Sequence, residues 1–224
     1  MADGFFVTGT GTGVGKTIVA AAIARTLAEE GTAVTVFKPA VTGLDDEGEP
    51  DHVVLRRAAR SSQTDDQIAP YRFGPAASPH LAAELAGVEI DPDALLLAAA
   101  AAAAASDALV CEGVGGFLVP LRPDYLVRDL ARDLGLPVVI AAAPGLGTIN
   151  HTLLAVESVR GAGLDIAGVV LTPWPDRPGS LERSNRRTIE AIGRVRVEVL
   201  PELDPASPGE WPRLDLFEPV GLAL

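Results

Sequence analysis

The residues best suited to chemistry in this chain cluster near its start, in residues 8–17, TGTGTGVGKT. Glycines at 9, 11, 13 and 15 let backbone N–H groups turn inward around an anion. Lys16 adds a full positive charge, and the Thr17 hydroxyl is a suitable ligand for magnesium. Thr12, Gly13, Val14, Gly15, Lys16 and Thr17 therefore form a candidate cradle for a triphosphate, with the N-terminal end of the following helix adding its own attraction. The spacing departs from G-x-x-x-x-G-K-[ST] in one respect: Thr10 stands where that pattern wants glycine, so the loop counted from Gly9 is one residue longer. A glycine-rich turn without a ligand is the alternative. The intact Gly15-Lys16-Thr17 between a strand and a helix argues against it.

Further reactive side chains follow other apolar runs. Lys38 comes directly after the run ending at Phe37, and Glu112 ends the run 108–112 before Gly113, Val114, Gly115 and Gly116. From strand ends a lysine can meet a transferring phosphoryl group, and a carboxylate beside glycines is a good magnesium ligand. The bland readings are a solvated lysine and a helix-capping glutamate. Asp51 opens the stretch Asp51-His52-Val53-Val54-Leu55, where an N-cap aspartate is the ordinary explanation. The three histidines, His52, His80 and His151, lack metal-ligand spacing, and no nucleophile elbow is present. The single cysteine, Cys111, lies in an apolar run and reads as a small buried hydrophobe.

These groups need a scaffold, and the hydrophobic pattern supplies one. Strands are predicted at 5–8, 33–37, 108–112, 137–142, 166–171 and 195–199, and helices over 16–30, 91–106, 125–134, 149–160 and 180–192. Asp91 with Pro92 is a good start for the alanine-rich helix. Residues 40–50, 61–79 and 201–224 read as loops, rich in Gly, Pro, Asp and Ser. Alternating strands and helices predict an α/β fold of the P-loop NTPase kind, a mostly parallel sheet with helices on both faces, as one domain over residues 1–224. The net charge of −12 repels nucleic acid and anionic lipid, so neither is an expected partner. With one cysteine, no basic leader and no membrane span in the sequence, a cytoplasmic protein is expected.

With those residues in hand, the chain resembles the dethiobiotin synthetases over nearly its whole length. The resemblance is carried by the loop 8–17, by Lys38-Pro39 with Thr42-Gly43, by Asp51, and by Ser78-Pro79-His80. It continues in Glu112-Gly113 with Gly115-Gly116 and in Leu146-Gly147 followed by Ile149-Asn150-His151. It implies closure of a ureido ring on 7,8-diaminopelargonic acid, using CO2 and ATP and yielding ADP and phosphate. It further implies that Thr17, Asp51 and Glu112 bind Mg2+ and that Lys38, with Lys16, is catalytic on the carbamate and γ-phosphate. Thr42 would hydrogen-bond the substrate. A homodimer is implied, with the substrate's tail carboxylate near Gly147, Thr148 and Asn150. Nucleotide contacts would extend to Gly113, Val114 and Gly115, to Thr172 and Pro173, and to Pro201, Glu202 and Leu203.

Departures from that family carry information. Gly11 and Gly13 replace acidic or polar residues, and Gly145 stands where relatives often have a basic one. Thr172 occupies the place of an asparagine that reads the adenine edge, and a hydroxyl cannot pair a donor and an acceptor as an amide does. Other nucleoside triphosphates are therefore expected to serve beside ATP. Rival readings are a partition or septum-site ATPase, a cobyrinate-type amidating synthetase, and a silent nucleotide-binding regulator. The first usually carries an extra lysine early in the loop, which positions 9–14 lack, and the second needs a glutaminase domain.

Overall fold

The computed structural model describes residues 3–214 and 216. Six parallel strands form the central sheet: β1 (Asp3–Gly9), β2 (Val34–Phe37), β5 (Ala108–Glu112), β8 (Val138–Ala142), β9 (Ile166–Trp174) and β10 (Val197–Pro201), in the order β10-β9-β8-β1-β5-β2. Helices α1 (Lys16–Glu29) and α2 (Asp51–Ala58), with the short α3 (Asp65–Ile68), contribute to the core on one face. On the other lie α4 (Pro79–Ala86), α5 (Pro92–Ala104), α6 (Val127–Leu134), α7 (Thr148–Gly161) and α8 (Ser180–Gly193). Residues 71–72 (β4) pair with 40–41 (β3), and 120–122 (β6) with 125–126 (β7).

The strand sequences explain this layering. In β1, Phe5 and Val7 enter the core under α1, while Phe6 enters the opposite core. β8 alternates likewise, with Val139 and Ala141 on the α1 side and Val138, Ile140 and Ala142 on the other. Both faces are covered, so these strands read as unbroken apolar runs instead of alternating ones. α1 is apolar nearly all round, Val19 to Leu27 being buried. It is enclosed by the sheet, by α2 and by Trp211, Leu214 and Leu216, which join its core. Fully burying Ile23 alone is worth roughly 1.5–3 kcal/mol.

The α/β fold with helices on both faces agrees with the sequence reading, and the alanine-rich helix is capped as expected, with the Asp91 carboxylate accepting from the Asp93 N–H at 3.0 Å. Several local expectations are corrected. Asp51 is not a cap: Pro50 holds that position and Asp51 is the first helical residue. The helix expected from residue 125 begins at Val127, because Tyr125 and Leu126 pair with β6. The expected loop 61–79 contains α3 and β4, and 40–50 begins with β3. Part of the expected loop 201–224 lies outside the described residues.

Candidate active site

The glycine-rich loop leaves the carboxyl end of β1 and enters α1 at Lys16. Its glycines have identifiable causes. A Cβ on Gly9 would lie 2.7 Å from Val14 Cγ2 and 2.9 Å from Lys16 Cγ, so the loop can fold over the strand end only if that position is bare. Gly15 has φ +85°, and a Cβ there would approach Thr172 Cγ2 to 2.5 Å. Lys16 is buried and donates to the Gly11 carbonyl at 2.8 Å, which keeps its ammonium within the loop.

Two neighbouring strand ends bring the next pair together. Lys38 follows β2, and Glu112 ends β5, to which β2 is hydrogen-bonded. The Lys38 ammonium lies 2.6 Å from Glu112 Oε1 and 2.8 Å from Asp51 Oδ2, and donates to the Gly113 carbonyl at 3.1 Å. The Thr17 hydroxyl is 2.8 Å from Asp51 Oδ1 and 3.0 Å from Glu112 Oε1. Asp51 thus faces the strand ends because α2 begins there, and its carboxylate serves this cluster. Burial opposes the charge on Lys38, but Glu112 and Asp51 outweigh it and hold the ammonium protonated well above the usual lysine range. Burial pushes the Glu112 carboxyl up, against the pull of Lys38. For Asp51 burial acts in the same sense, yet Lys38 prevails and lowers it. Burial lowers Lys16, with Glu112 acting in the other direction.

Beside this cluster is a cleft of about 790 Å3. Thr12, Gly13, Gly15, Lys16 and Thr17 line one side, and Lys38, Thr42, Asp51, Glu112, Val114 and Gly115 the rest. Ser78 and Pro79, at the start of α4, also line it, as does the acidic stretch from Asp46 to Glu49. A larger hollow of about 940 Å3 opens among Gly4, Glu30, Asp107 and Pro137, at the amino end of the strands, and contains none of the expected residues. The cleft at the carboxyl ends holds the lysines and is where ligands of open α/β sheets bind.

Three side chains here, those of Thr17, Asp51 and Glu112, are of the types that hold a metal ion. Glu112 Oε2 is buried without a hydrogen-bond partner, and it belongs to the same carboxylate whose Oε1 accepts from the Thr17 hydroxyl and the Lys38 ammonium. Among the described residues no three His, Cys, Asp or Glu side chains gather as a metal cluster. Two carboxylates and a hydroxyl suit magnesium, which takes few protein ligands and completes its shell with phosphate oxygens and water.

The remaining expected residues lie apart from the cleft lining. Thr172 is buried beside Gly15, with Pro173 next in β9; Pro201 ends β10, paired with Trp174, and Glu202 and Leu203 follow. Gly147 caps α7, whose first residues include Thr148 and Asn150. The loop before α7 is braced by Asn185, whose side-chain amide donates to the Pro144 and Gly145 carbonyls at 2.9 and 3.1 Å, and Leu146 at its tip is 92% exposed. Sequence reasoning missed Asn185, Glu49 and Arg57. Nothing local marks them, since each acts on a segment distant in sequence or placed by a helix's direction.

A family model described as an AAA domain matches residues 3–212. The ATP-dependent dethiobiotin synthetase of Bacillus licheniformis is 38% identical over 207 residues, covering 92% of this chain and 88% of its own. That of Mycobacterium avium is 41% identical over 197 residues, covering 87% and 85%. Among solved structures, the septum site-determining protein MinD of Pyrococcus horikoshii, complexed with Mg-ADP, superposes with a TM-score of 0.56 over 92% of this chain and 83% of that one. At 18% identity that likeness speaks for the fold alone. The synthetases match across almost the full length, and this chain belongs to the ATP-dependent dethiobiotin synthetase family.

Proposed function

We propose that the chain closes a ureido ring on 7,8-diaminopelargonic acid with CO2 and ATP, using Lys38 as the residue that meets both the carbamate and the γ-phosphate. The observation that carries this reading is the placement of Lys38 between Glu112 and Asp51, in the cleft that the phosphate loop borders. One substrate amine adds to CO2 and loses a proton, giving a carbamate. A carbamate oxygen attacks the γ-phosphorus, ADP leaves, and a carbamic–phosphoric anhydride remains. The second amine then attacks the carbonyl carbon, losing a proton as the C–O bond to phosphate breaks.

Two anions must be brought together for the phosphoryl step. Lys16 in the loop and Lys38 on the cleft floor are placed to offset their repulsion, and fixed geometry replaces a diffusive encounter. Thr42, also in the cleft, offers a hydroxyl to the carbamate end. Thr17, Asp51 and Glu112 would hold Mg2+, which when bound with the triphosphate spreads the charge of the β- and γ-phosphates.

The cleft of one chain does not include Gly147, Thr148 or Asn150. A homodimer accounts for that separation: the start of α7 in a second copy offers free N–H groups to the tail carboxylate. The exposed Leu146 and Leu154 fit burial against that copy. Each chain acts as one domain over residues 1–224. Among the described residues no helix is long and apolar enough to cross a membrane, and we place the enzyme in the cytoplasm.

Phosphate release with and without each substrate tests the reading. Release from ATP should require both diaminopelargonic acid and bicarbonate, with dethiobiotin formed in equal amount. Release that ignores either one would sink it.

A further inference from the structure

The wall of the cleft and the segment after β10 are joined by one side chain, Arg57, near the end of α2. Its Nη1 donates to Glu49 Oε2 at 2.7 Å and to the Pro205 carbonyl at 3.0 Å, while Nη2 donates to Glu49 Oε1. The guanidinium is thus a two-pronged fork on a carboxylate and, at the same time, a clamp on a backbone carbonyl. Glu49 lines the cleft just ahead of Asp51. Pro205 lies just past Leu203.

The segment at Pro205 has a shape of its own. Asp204 accepts from the Ala206 N–H at 2.9 Å and from the Ser207 hydroxyl at 3.2 Å, and the Trp211 indole donates to the Asp204 carbonyl at 3.0 Å. Further along, Arg25 donates to the Gly209 carbonyl at 3.0 Å and so ties the segment to α1. Arg57 does something different: it fixes a preformed turn against the helix whose first residue is Asp51 and against the loop leading into it.

We propose that Arg57 is a positioning residue that sets residues 201–205 and the cleft wall 49–51 relative to one another, so that a nucleoside held by one segment orders the other. This rests on the reading of 201–203 as the side on which the base lies. The guanidinium fork suits the task because it holds orientation as well as distance, which a lysine ammonium does not. An exposed ion pair adds little to global stability. With its side chain 36% exposed, Arg57 is therefore expected to act on geometry more than on folding.

The test is calorimetric binding of ATP and of inorganic tripolyphosphate, which has no base, to wild type, Arg57→Ala and Arg57→Lys in magnesium buffer. In Arg57→Ala, ATP affinity should fall roughly ten-fold while tripolyphosphate affinity stays within about two-fold, as expected for lost positioning of a charge-assisted contact. Arg57→Lys should fall between. In turnover, Arg57→Ala should raise the KM for ATP and for the diamine with kcat little changed. Equal losses for ATP and tripolyphosphate, or no loss for either, would overturn the proposal. Wild type binding tripolyphosphate as tightly as ATP would instead remove the base-side reading, and the proposal with it.

Discussion

The Lys38 ammonium and the Glu112 carboxylate meet at 2.6 Å with both side chains almost wholly shielded from water. The dependence is one-sided: Lys38 without Glu112 would keep Asp51 at 2.8 Å, whereas Glu112 without Lys38 would be a buried charge lacking its ion-pair partner. Replacing Lys38 by Met is expected to cut turnover by at least about 100-fold through loss of electrostatic stabilisation. It should also cost roughly 3–5 kcal/mol of stability at neutral pH. Burial already pushes the Glu112 carboxyl up, and without Lys38 its pKa in the folded chain stands above that in the unfolded one. The native state then binds more protons, so stability of the variant falls as pH rises. Denaturant melts should show Lys38→Met most stable in mildly acidic buffer, and Lys38→Met with Glu112→Gln should regain stability without turnover.

Gly15 and Gly11 sit in the same loop under different constraints. Gly15→Ala meets both a left-handed backbone and the Thr172 methyl, whereas a Cβ at Gly11 meets nothing within 4 Å. Gly15→Ala should cost about 1–3 kcal/mol, as forced strain does. Gly11→Ala should stay within about 0.5 kcal/mol. Equal melting temperatures for the two variants would contradict this account.

Base selectivity is the next test. With Thr172 in place of an amide, GTP, CTP and UTP are expected to support turnover within about ten-fold of ATP, the weak discrimination of a site without paired polar readout. Assays at saturating diamine and bicarbonate check this. A loss beyond a hundred-fold for all three would show that the base is read by other groups.

Leu146 is exposed in a loop whose Pro144 and Gly145 carbonyls accept from the Asn185 amide. Leu146→Asp should shift the protein from dimer to monomer in light scattering. Turnover at low diamine should drop with it, while ATP affinity is kept. A monomeric wild type would remove the proposed assembly.

Cys111 is completely buried in β5, and burial pushes its thiol up, so thiolate is absent at ordinary pH. A thiol reagent such as iodoacetamide should leave the native chain unlabelled at pH 8 and modify it fully in denaturant. Rapid native labelling would mean that β5 opens.

The sheet was legible because burial on both faces makes its strands uniform apolar runs, and alanine with an Asp-Pro start marked α5. The two-residue strands β3, β4 and β7 escaped because such pairings depend on a partner far along the chain. Helix α4 escaped for another reason: it is short and lies directly after a Pro- and Gly-rich stretch that reads as loop. In the site, Lys16 could be placed from the glycine-rich loop motif, and Lys38 and Glu112 from strand ends. Asp51 could not, since whether an aspartate at a helix start caps its own backbone or faces outward depends on what stands opposite. Here that is Lys38. The Glu49–Arg57–Pro205 contact was hidden for the same reason, its partners being chosen by the direction of α2.

The covering of α1 sets a constraint on synthesis. Arg25 and Thr26, made early, find partners in Gly209 and Leu214, made late: Arg25 donates to the Gly209 carbonyl, and the Leu214 N–H donates to the Thr26 hydroxyl at 3.2 Å. A nascent chain can pair β1 with β8 while still on the ribosome, yet it cannot close the outer side of α1 until Gly209, Trp211, Leu214 and Leu216 have emerged. A chain stalled at the end of β10 would carry its nucleotide loop on a helix still bare along one side.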